Sequence, residues 1–342
     1  MAYTTIDKHT DFFNTKIYSG TSNSSDALTG IGHQPNFVWL KSRSNAAWHI
    51  LTDSVRGVDS QLYTNSSSAA GSLTNYLESF DSDGFTINNN TDINGSGKTF
   101  VGWSWKAGTT SGLSGGSITP SSYSINTTAG FGIYKYTGNG YSGATIAHGL
   151  GKVPTMIWVK KIGANKEWQI YHRAMGNGKW IEFTTSTAQT GTSRWNDTSP
   201  TNTLFYLGND GDVNANGDDF IAYVWCDVPG FSMMGGYGGN QITDGAFYYT
   251  GFAPAFVLFK STQSTEHWAM HDNKRSPFPN PSDEYLYPNL NNSEAGGHSI
   301  NLLSNGVKIR TDNDQWNDTK QFIFMAFGQT LVGSNNIPCT AR

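Results

Sequence analysis

Three stretches of the chain share one pattern of apolar and polar positions. Each has a proline, then at least four apolar residues, and a lysine six positions after the proline: QPNFVWLK (34–41), VPTMIWVK (153–160) and APAFVLFK (253–260). Apolar side chains fall on both alternating faces, which is typical of a strand covered on both sides. A proline is tolerated at a strand start. We therefore expect three buried central strands, each closed by a lysine whose ammonium stays in water.

The last strands of the pattern also recur. They are FVGWSW (100–105), FIAYVW (220–225) and FIFMAF (322–327), and each is preceded by a short strand, GFTI (84–87), LFYL (204–207) or GVKI (306–309). One face of each last strand is bulky, whereas the other begins with Phe and continues with mostly smaller residues. This complementarity predicts that the proline-initiated strand and the last strand are neighbours in one sheet. Trp48, Trp168 and Trp268 are aligned between them.

These spacings predict an all-β fold of three tandem β-sandwich, jelly-roll-like modules related by an internal repeat. The second and third modules abut, so we expect them to form a rigid pair. The full division is an N-terminal segment 1–11, a first module 12–107, a Gly/Ser/Thr-rich linker 108–130, a second module 131–228, a third module 231–329 and a C-terminal tail 330–342.

Composition agrees with this fold and excludes several functions. Aromatic residues are 13% of the chain and charged residues only 14%, with net charge −4 and no basic run. Nucleic-acid binding is therefore not expected. No apolar run approaches the roughly 20 residues of a membrane span, and the opening MAYTTIDKHTDFFN lacks the apolar core of a signal peptide. The two cysteines form neither a disulfide framework nor a metal site, although a single Cys226–Cys339 bridge stays open.

Residues 210–219, DGDVNANGDD, are the segment most like a metal site. Asp210, Asp212, Asn214 and Asp218 alternate as calcium ligands do, but the glycine and the final carboxylate of an EF-hand loop are missing. The alternatives are a tight turn and a weak calcium site. His267 and His271 have the spacing of helical metal ligands, yet no third ligand is evident, so we interpret them as unrelated histidines.

The sequence has no nucleophile elbow, phosphate loop, dinucleotide fingerprint or zinc-protease motif. We therefore expect neither a cofactor nor enzymatic activity. Most tryptophans lie on repeated positions and are assigned to the core. Other aromatic residues lie in turn-like or loop contexts suited to ligand or partner contact. They are Trp180, Trp195, Trp316, Tyr237, Tyr285 and Tyr287.

The repeated pattern, together with FDSDGFTI, NTTAGFGIYKYTGNG and NNIPCTAR, resembles a family of marine tailed-phage virion proteins. Members are described as structural or tail-fibre-like, with a domain of unknown function. The resemblance covers essentially the whole chain and carries no catalytic or binding residues. It implies a component of the phage particle but does not give its place on the particle. We expect the protein to be assembled in the host cytoplasm and exposed on the virion surface.

Three functional hypotheses follow. The first is a non-enzymatic tail-fibre or host-recognition protein whose partners are other virion proteins and a host-surface glycan or protein. The second is a capsid-decorating or tail-scaffold protein, favoured by the lack of heptad, collagen or β-helix repeats. The third is a glycan-degrading enzyme, since any two acids can converge in a fold. Fibre proteins are often homotrimers, but three modules in one chain would also supply a pseudo-threefold unit.

Overall fold

Short antiparallel strands dominate the chain, in keeping with its Gly/Asn turns and its aromatic and β-branched residues. The computed structural model describes residues 4–276 and 280–329. Within these ranges the expected all-β fold is confirmed. We call residues 12–107, 131–228 and 231–329 the first, second and third blocks.

Each block begins and ends with a long strand. The first block contains β1 (Phe13–Ser19), β2 (Asp26–Thr29), β3 (Phe37–Ser42), β4 (Ile50–Asp53), β5 (Gly57–Tyr63), β6 (Gly71–Ser72), β7 (Leu77–Asp81), β8 (Gly84–Ile87) and β9 (Thr99–Trp105). The second follows β10 (Ser122–Asn126) and contains β11 (Phe131–Thr137), β12 (Ala144–Ala147), β13 (Pro154–Lys161), β14 (Gln169–His172), β15 (Lys179–Trp180), β16 (Gln189–Thr190), β17 (Leu204–Leu207) and β18 (Asp219–Cys226). The third contains β19 (Ser232–Gly238), β20 (Phe247–Tyr249), β21 (Pro254–Ser261), β22 (Ala269–Asp272), β23 (Ile300–Leu303), β24 (Gly306–Ile309) and β25 (Gln321–Gly328).

Helical segments are short. One-turn helices α1 (Thr91–Asn94), α2 (Gly211–Asn214) and α3 (Asp314–Asn317) precede the last strand of each block, and 3-10 turns occupy His9–Asp11 and Arg173–Met175. In the part of the chain that the structure describes, no helix has the length and hydrophobicity to cross a bilayer.

One strand order recurs in the three larger sheets. The orders are β1-β9-β3-β4, continued by β5 and β6; β11-β18-β13-β14, preceded by β10; and β19-β25-β21-β22. The proline-initiated strands β3, β13 and β21 therefore pair antiparallel with the last strands β9, β18 and β25, as the sequence predicts. Nearly every residue of these three strands is buried, which confirms that both of their faces are covered.

One face of each larger sheet packs against a smaller sheet of the same block. The smaller sheets are β2-β8-β7, β12-β17 and β20-β24-β23. A separate hydrophobic cluster fills each interface. In the first block, for example, Val38 and Leu40 on β3 pack with Phe85 and Ile87 on β8. Each block thus has a core of its own between two sheets.

The opposite faces of the three larger sheets meet in one central core. The bulky sides of β9, β18 and β25 all point into it, and rings from different blocks touch. The ring centroids of Phe37 and Tyr223 are 4.5 Å apart, and those of Phe13 and Phe327 are 4.7 Å apart. The first block therefore shares a core with the other two, although the sequence suggested a close pair of the second and third alone.

Equivalent backbone hydrogen bonds join the blocks in a ring. We name the three contacts the first–second, second–third and third–first seams. Their bonds run from Ala70 N–H to the Ile162 carbonyl (2.8 Å), from Ala188 N–H to the Thr262 carbonyl (2.9 Å) and from Glu294 N–H to the Arg43 carbonyl (2.7 Å). The indole groups of Trp168 and Trp268 bond across the first–second and second–third seams as well. Trp168 Nε1 donates to the Tyr63 carbonyl, and Trp268 Nε1 donates to the Glu182 carbonyl.

The predicted alignment of Trp48 with Trp168 and Trp268 is wrong by one residue. Trp168 and Trp268 directly precede β14 and β22 and are buried, whereas the residue that directly precedes β4 is the buried His49. His49 is accommodated because its Nδ1 accepts a hydrogen bond from Trp39 Nε1 at 3.0 Å. Trp48 is 42% exposed and lies on the Tyr63 ring.

The Gly/Ser/Thr-rich segment 108–120 is packed against the second block. Thr109 and Ile125 exchange two backbone hydrogen bonds, and Ser117 and Ile118 both donate to the Thr145 carbonyl. The side chain of Ile118 enters the core of the second block. This segment therefore continues the small sheet β12-β17 at its edge.

Cys226 is buried and has no disulfide partner among the residues described, and burial raises the pKa of its thiol to about 12. Cys339 and the predicted tail 330–342 lie outside the described residues. A Cys226–Cys339 bridge thus stays the open alternative that it was in the sequence.

Candidate functional site

The segment with the calcium-like pattern forms α2 and its capping turn. The Asp210 side chain accepts a hydrogen bond from the Asp212 N–H at 2.8 Å. Asn90 and Asn313 cap α1 and α3 in the same way. Such caps satisfy a free N–H group at the start of a helix. The geometry is therefore that of a turn used once in every block.

A buried asparagine at the end of each of these helices ties it to the loop after the block's first strand. In the second block the Asn214 side chain donates to the carbonyls of Tyr141 and Gly208 and accepts from the Asn139 N–H, all at 2.9 Å. Asn94 and Asn317 make corresponding bonds. The amide of Asn214 is thus engaged by the protein itself.

The carboxylates of the same segment are paired with cations of the chain. Arg194 contacts both Asp210 and Asp212, and Lys166 lies 3.1 Å from Asp212. Asp218 pairs with Lys161 at 2.6 Å. Across residues 4–276 and 280–329, no group of three or more His, Cys, Asp or Glu side chains has a geometry that could hold a metal ion. This arrangement favours the tight-turn interpretation of DGDVNANGDD.

His267 and His271 have separate partners. His267 Nδ1 lies 2.9 Å from Asn289 Nδ2, whereas the buried His271 accepts from Trp316 Nε1 at 3.0 Å. Burial lowers the pKa of His271 well below its ordinary value. The imidazole is therefore neutral at pH 7 and serves the packing of Trp316.

Trp195 and Trp316 each begin a WNDT sequence (195–198 and 316–319), whose polar residues predict a surface turn with an exposed indole. That prediction is wrong. Trp195 and Trp316 are 2% and 0% exposed, respectively. Trp195 packs edge-on against Tyr171, with ring centroids 5.9 Å apart. Trp316 lies in α3, whose single turn directs the indole into the core of the third block. The polar neighbours in WNDT suggested a surface turn, but a helical turn can bury one residue among polar ones.

Trp180 is half-buried beneath Arg194. The guanidinium lies 4.7 Å from the centroid of its ring, a cation–π contact. Because Arg194 also pairs with Asp210 and Asp212, Trp180 is joined to the capped turn of α2. The structure thus brings a predicted aromatic contact residue and the predicted calcium ligands into one network.

Three other predicted contact residues come together in the third block. Tyr285 packs against Trp316 at 4.8 Å and against Tyr287 at 5.1 Å, measured between ring centroids. Tyr285 is buried and Tyr287 is half-buried. Burial raises the pKa of Tyr287 well above its ordinary value. Tyr237 lies elsewhere, stacked between Tyr248 and Phe322, so most of these rings contribute to packing.

The lysines that close the central strands are buried, which corrects the expectation that their ammonium groups stay in water. Lys160 Nζ donates to the carbonyls of Lys161, Ala164 and Ser67 at 3.1–3.2 Å. Lys41 Nζ likewise reaches the carbonyls of Ser42, Asn45 and Asn291. Burial lowers the pKa of Lys41, Lys160 and Lys260 to about 8 each. Backbone carbonyl oxygens therefore accept the ammonium hydrogen bonds that we expected water to accept.

Ionic clusters occupy two of the seams. In the first–second seam the buried Asp53 accepts from Arg56 Nε (2.6 Å) and from the Tyr223 hydroxyl (2.7 Å) of the next block. In the third–first seam the buried Asp272 accepts from Arg275 Nε (2.6 Å) and from Trp103 Nε1 (3.1 Å). Each carboxylate thus has a donor from its own block and one from the neighbouring block.

The second–third seam has His172 in the corresponding place. Its Nδ1 accepts from the Ala174 N–H, and its Nε2 bonds the Phe324 carbonyl of the third block. Burial lowers its pKa to about 4. Met325 takes the place of Tyr223 and Trp103 and has no N–H or O–H to donate. A neutral imidazole that can donate to a backbone carbonyl suits this seam better than a carboxylate.

Among the residues that the structure describes, the most exposed aromatic side chains were not among those predicted. They are Tyr141 at 74%, Tyr249 at 58% and Phe247 at 46%. Phe247 and Tyr249 flank the buried Tyr248 on β20, so they share one outward face. A sequence signal could have identified Phe247 and Tyr249. The third block has FYY in this strand, whereas the other two blocks have small residues at the positions of Phe247 and Tyr249.

Comparison with protein-family models gives one match, a domain of unknown function, DUF7483, which spans residues 8–330. The chain belongs to the DUF7483 family. No curated protein matches the sequence, and no solved structure matches it.

The DUF7483 match includes all three blocks and the segments that join them. The family description assigns no activity. Roles for individual residues therefore come from the geometry above.

Proposed function

We propose that the chain is a surface-exposed, non-enzymatic structural component of a bacteriophage virion, of the tail-fibre or host-recognition type. We further propose that its blocks are copies of one β-sandwich, jelly-roll-like module arranged around a pseudo-threefold axis. One strand order, one buried lysine and one capped helical turn in each block support the repeat. The resemblance of the sequence to marine tailed-phage virion proteins supports the virion assignment.

The recognition function is supported by a comparison of the three blocks, which share buried strands and differ at exposed positions. They agree in the buried strands around the central core. They differ at outward positions, where large aromatic side chains such as Phe247 and Tyr249 are exposed. A common framework that presents different surfaces is typical of a protein that binds through its surface loops and edges.

Immunogold labelling of intact particles tests the location. Tail labelling, together with inhibition of phage adsorption by the purified protein, is the expected result. Labelling restricted to the head overturns the tail-fibre proposal. Release of reducing sugar from host envelope glycans by the purified protein would overturn its non-enzymatic part.

Capsid decoration is the second candidate, and the ring of three blocks favours it. A chain with three equivalent faces matches a threefold position on a closed shell without forming a trimer. Light scattering on the purified protein distinguishes the two arrangements. A monomer fits a chain that supplies the threefold arrangement by itself, whereas a homotrimer fits a fibre.

A further inference from the structure

The outward face of β20 carries two exposed aromatic rings. Phe247 and Tyr249 are two residues apart on this strand, and β20 is the edge strand of the small sheet β20-β24-β23. The intervening Tyr248 faces the core of the third block. The two rings therefore lie side by side on the solvent face of the sheet.

The other two blocks show that the fold does not require these rings. The strand registers of the small sheets align Phe247 with Ala27 and Thr145, and Tyr249 with Thr29 and Ala147. The same sheet position is thus occupied by small side chains twice within this chain. Clustered exposed aromatic residues that packing does not require are typical of a binding surface.

The ring of Phe247 reaches across to Gly306 of β24. A Cβ atom added to Gly306 would lie 2.7 Å from Phe247 Cζ, so the ring covers the backbone of β24 at this glycine. Gly306 is also the residue that pairs with Tyr249. Gly306 places no side chain beside the two rings, so Phe247 and Tyr249 line a shallow apolar surface in solvent, which we call the platform.

Charged groups border the platform. Lys308 pairs with Phe247 across the strands, and its Nζ lies 3.1 Å from the exposed Asp244 carboxylate. Arg310 also contacts Asp244, at 2.6 Å. The ammonium of Lys308 is already engaged by Asp244 and by the Gly245 carbonyl. The exposed Asp244 carboxylate and the Arg310 guanidinium therefore supply the acceptors and donors beside the apolar rings.

We infer that this platform is a glycan-binding site. The apolar face of a pyranose ring stacks on Phe247 and Tyr249, while its hydroxyl groups bond Asp244 and Arg310. Flat rings with a few placed polar groups suit a sugar, which has an apolar face and a polar edge. This inference deepens the proposed host-recognition function and rests on it for the biological source of the glycan.

The test is binding of the full chain to an array of bacterial O-antigen and capsular oligosaccharides. We expect the unaltered protein to bind at least one of these glycans. The double variant Phe247→Ala/Tyr249→Ala should lose at least about tenfold in affinity, as is usual when central aromatic contacts are removed. Asp244→Asn should weaken the same binding. Tyr141→Ala, which removes an exposed aromatic outside the platform, is the matched control and should bind normally.

Thermal unfolding followed by circular dichroism shows that each variant is folded. The inference is overturned if the unaltered protein binds no glycan on the array, or if the double variant binds as well as the Tyr141→Ala control. Attachment to host cells that survives periodate treatment and is lost after proteolysis of the cells would identify a protein receptor and also overturn it. A glycan-binding protein absent from the particle would keep this site but refute the proposed function.

Discussion

The third–first and second–third seams join corresponding parts of the blocks through different side chains. At the third–first seam, Asp272, Arg275 and Glu294 of the third block form an ionic cluster with Arg43 of the first. At the second–third seam, a neutral His172 bonds a backbone carbonyl. Ala188 and Thr262 occupy the positions that Glu294 and Arg43 hold at the other seam.

The neighbouring block accounts for the difference, because Trp103 donates to Asp272 whereas the corresponding Met325 has no N–H or O–H to donate. The second and third blocks follow each other directly in sequence, so their contact is maintained by a short connection. The first and third blocks are separated by the whole second block, and loop closure over that distance has an entropic cost. Buried charges tolerate few alternative pairings. The ionic cluster at this seam therefore favours one specific pairing of the first and third blocks, and this pairing closes the ring.

The largest effect on stability at either seam is expected from removal of the Asp272 charge. Asp272→Asn leaves the buried Arg275 with one carboxylate partner fewer and weakens the bond from Trp103. We expect the free energy of unfolding, measured in urea, to fall by roughly 3–5 kcal/mol. The matched control is Asp312→Asn, which alters an exposed carboxylate of the same block. Equal stability of the two variants would contradict the assigned role of the cluster.

Acid should destabilise the protein through its buried histidines. His33 and His172 have pKa values lowered to about 4 by burial, whereas an unfolded histidine titrates near 6.5. As the pH falls from 6.5 towards 4, the unfolded state takes up protons that the folded state does not, so stability is lost. Between pH 7 and pH 5 we expect each of the two to lower the free energy of unfolding by roughly 2 kcal/mol.

The variant His172→Asn isolates the second–third seam in this titration. An asparagine oxygen can still accept the Ala174 N–H, as Asp53 accepts the Val55 N–H. Urea unfolding at pH 5 and pH 7 should show a pH dependence that is smaller by about 2 kcal/mol than in the unaltered protein. An unchanged pH dependence would mean that His172 does not titrate on unfolding.

The buried lysines offer a finer comparison. Lys160→Met removes a hydrogen bond across the first–second seam to Ser67, whereas the carbonyls that accept from Lys260 belong to its own block. Both substitutions remove a buried charge and retain a flexible stem. Lys160→Met should therefore cost about 1 kcal/mol more than Lys260→Met in urea unfolding. Equal costs would show that the lysine contributes nothing across the seam.

The smallest effect is expected at the outer sheet. Phe247→Ala/Tyr249→Ala should change the free energy of unfolding by no more than about 0.5 kcal/mol for each residue, because both side chains are on the surface. A calorimetric scan that shows a much larger loss would mean that the rings stabilise the fold. The internal comparison with Ala27 and Thr145 would then no longer apply.

The sequence predicted the strands well because the residues that indicate their burial are neighbours along the chain. Apolar residues on both faces of QPNFVWLK indicate a covered strand whatever covers it. The shared core was not predictable in this way, because the bulky face of β9 has the same composition whether it packs within a block or between blocks. The burial of Lys41 depends on a carbonyl 250 residues away, which no local pattern contains. Trp316 was misplaced because three of the four letters of WNDT are polar.

The central core has a consequence for how the protein can be divided. Every block supplies one aromatic sheet face to that core, so any single block prepared alone would leave this face in water. Such a fragment should be insoluble or self-associating, and the complete chain should unfold in one cooperative step rather than block by block. A repeat array whose units contact only their neighbours in a row can be lengthened or shortened. The three blocks of this chain form a closed ring, which cannot be lengthened or shortened by one block.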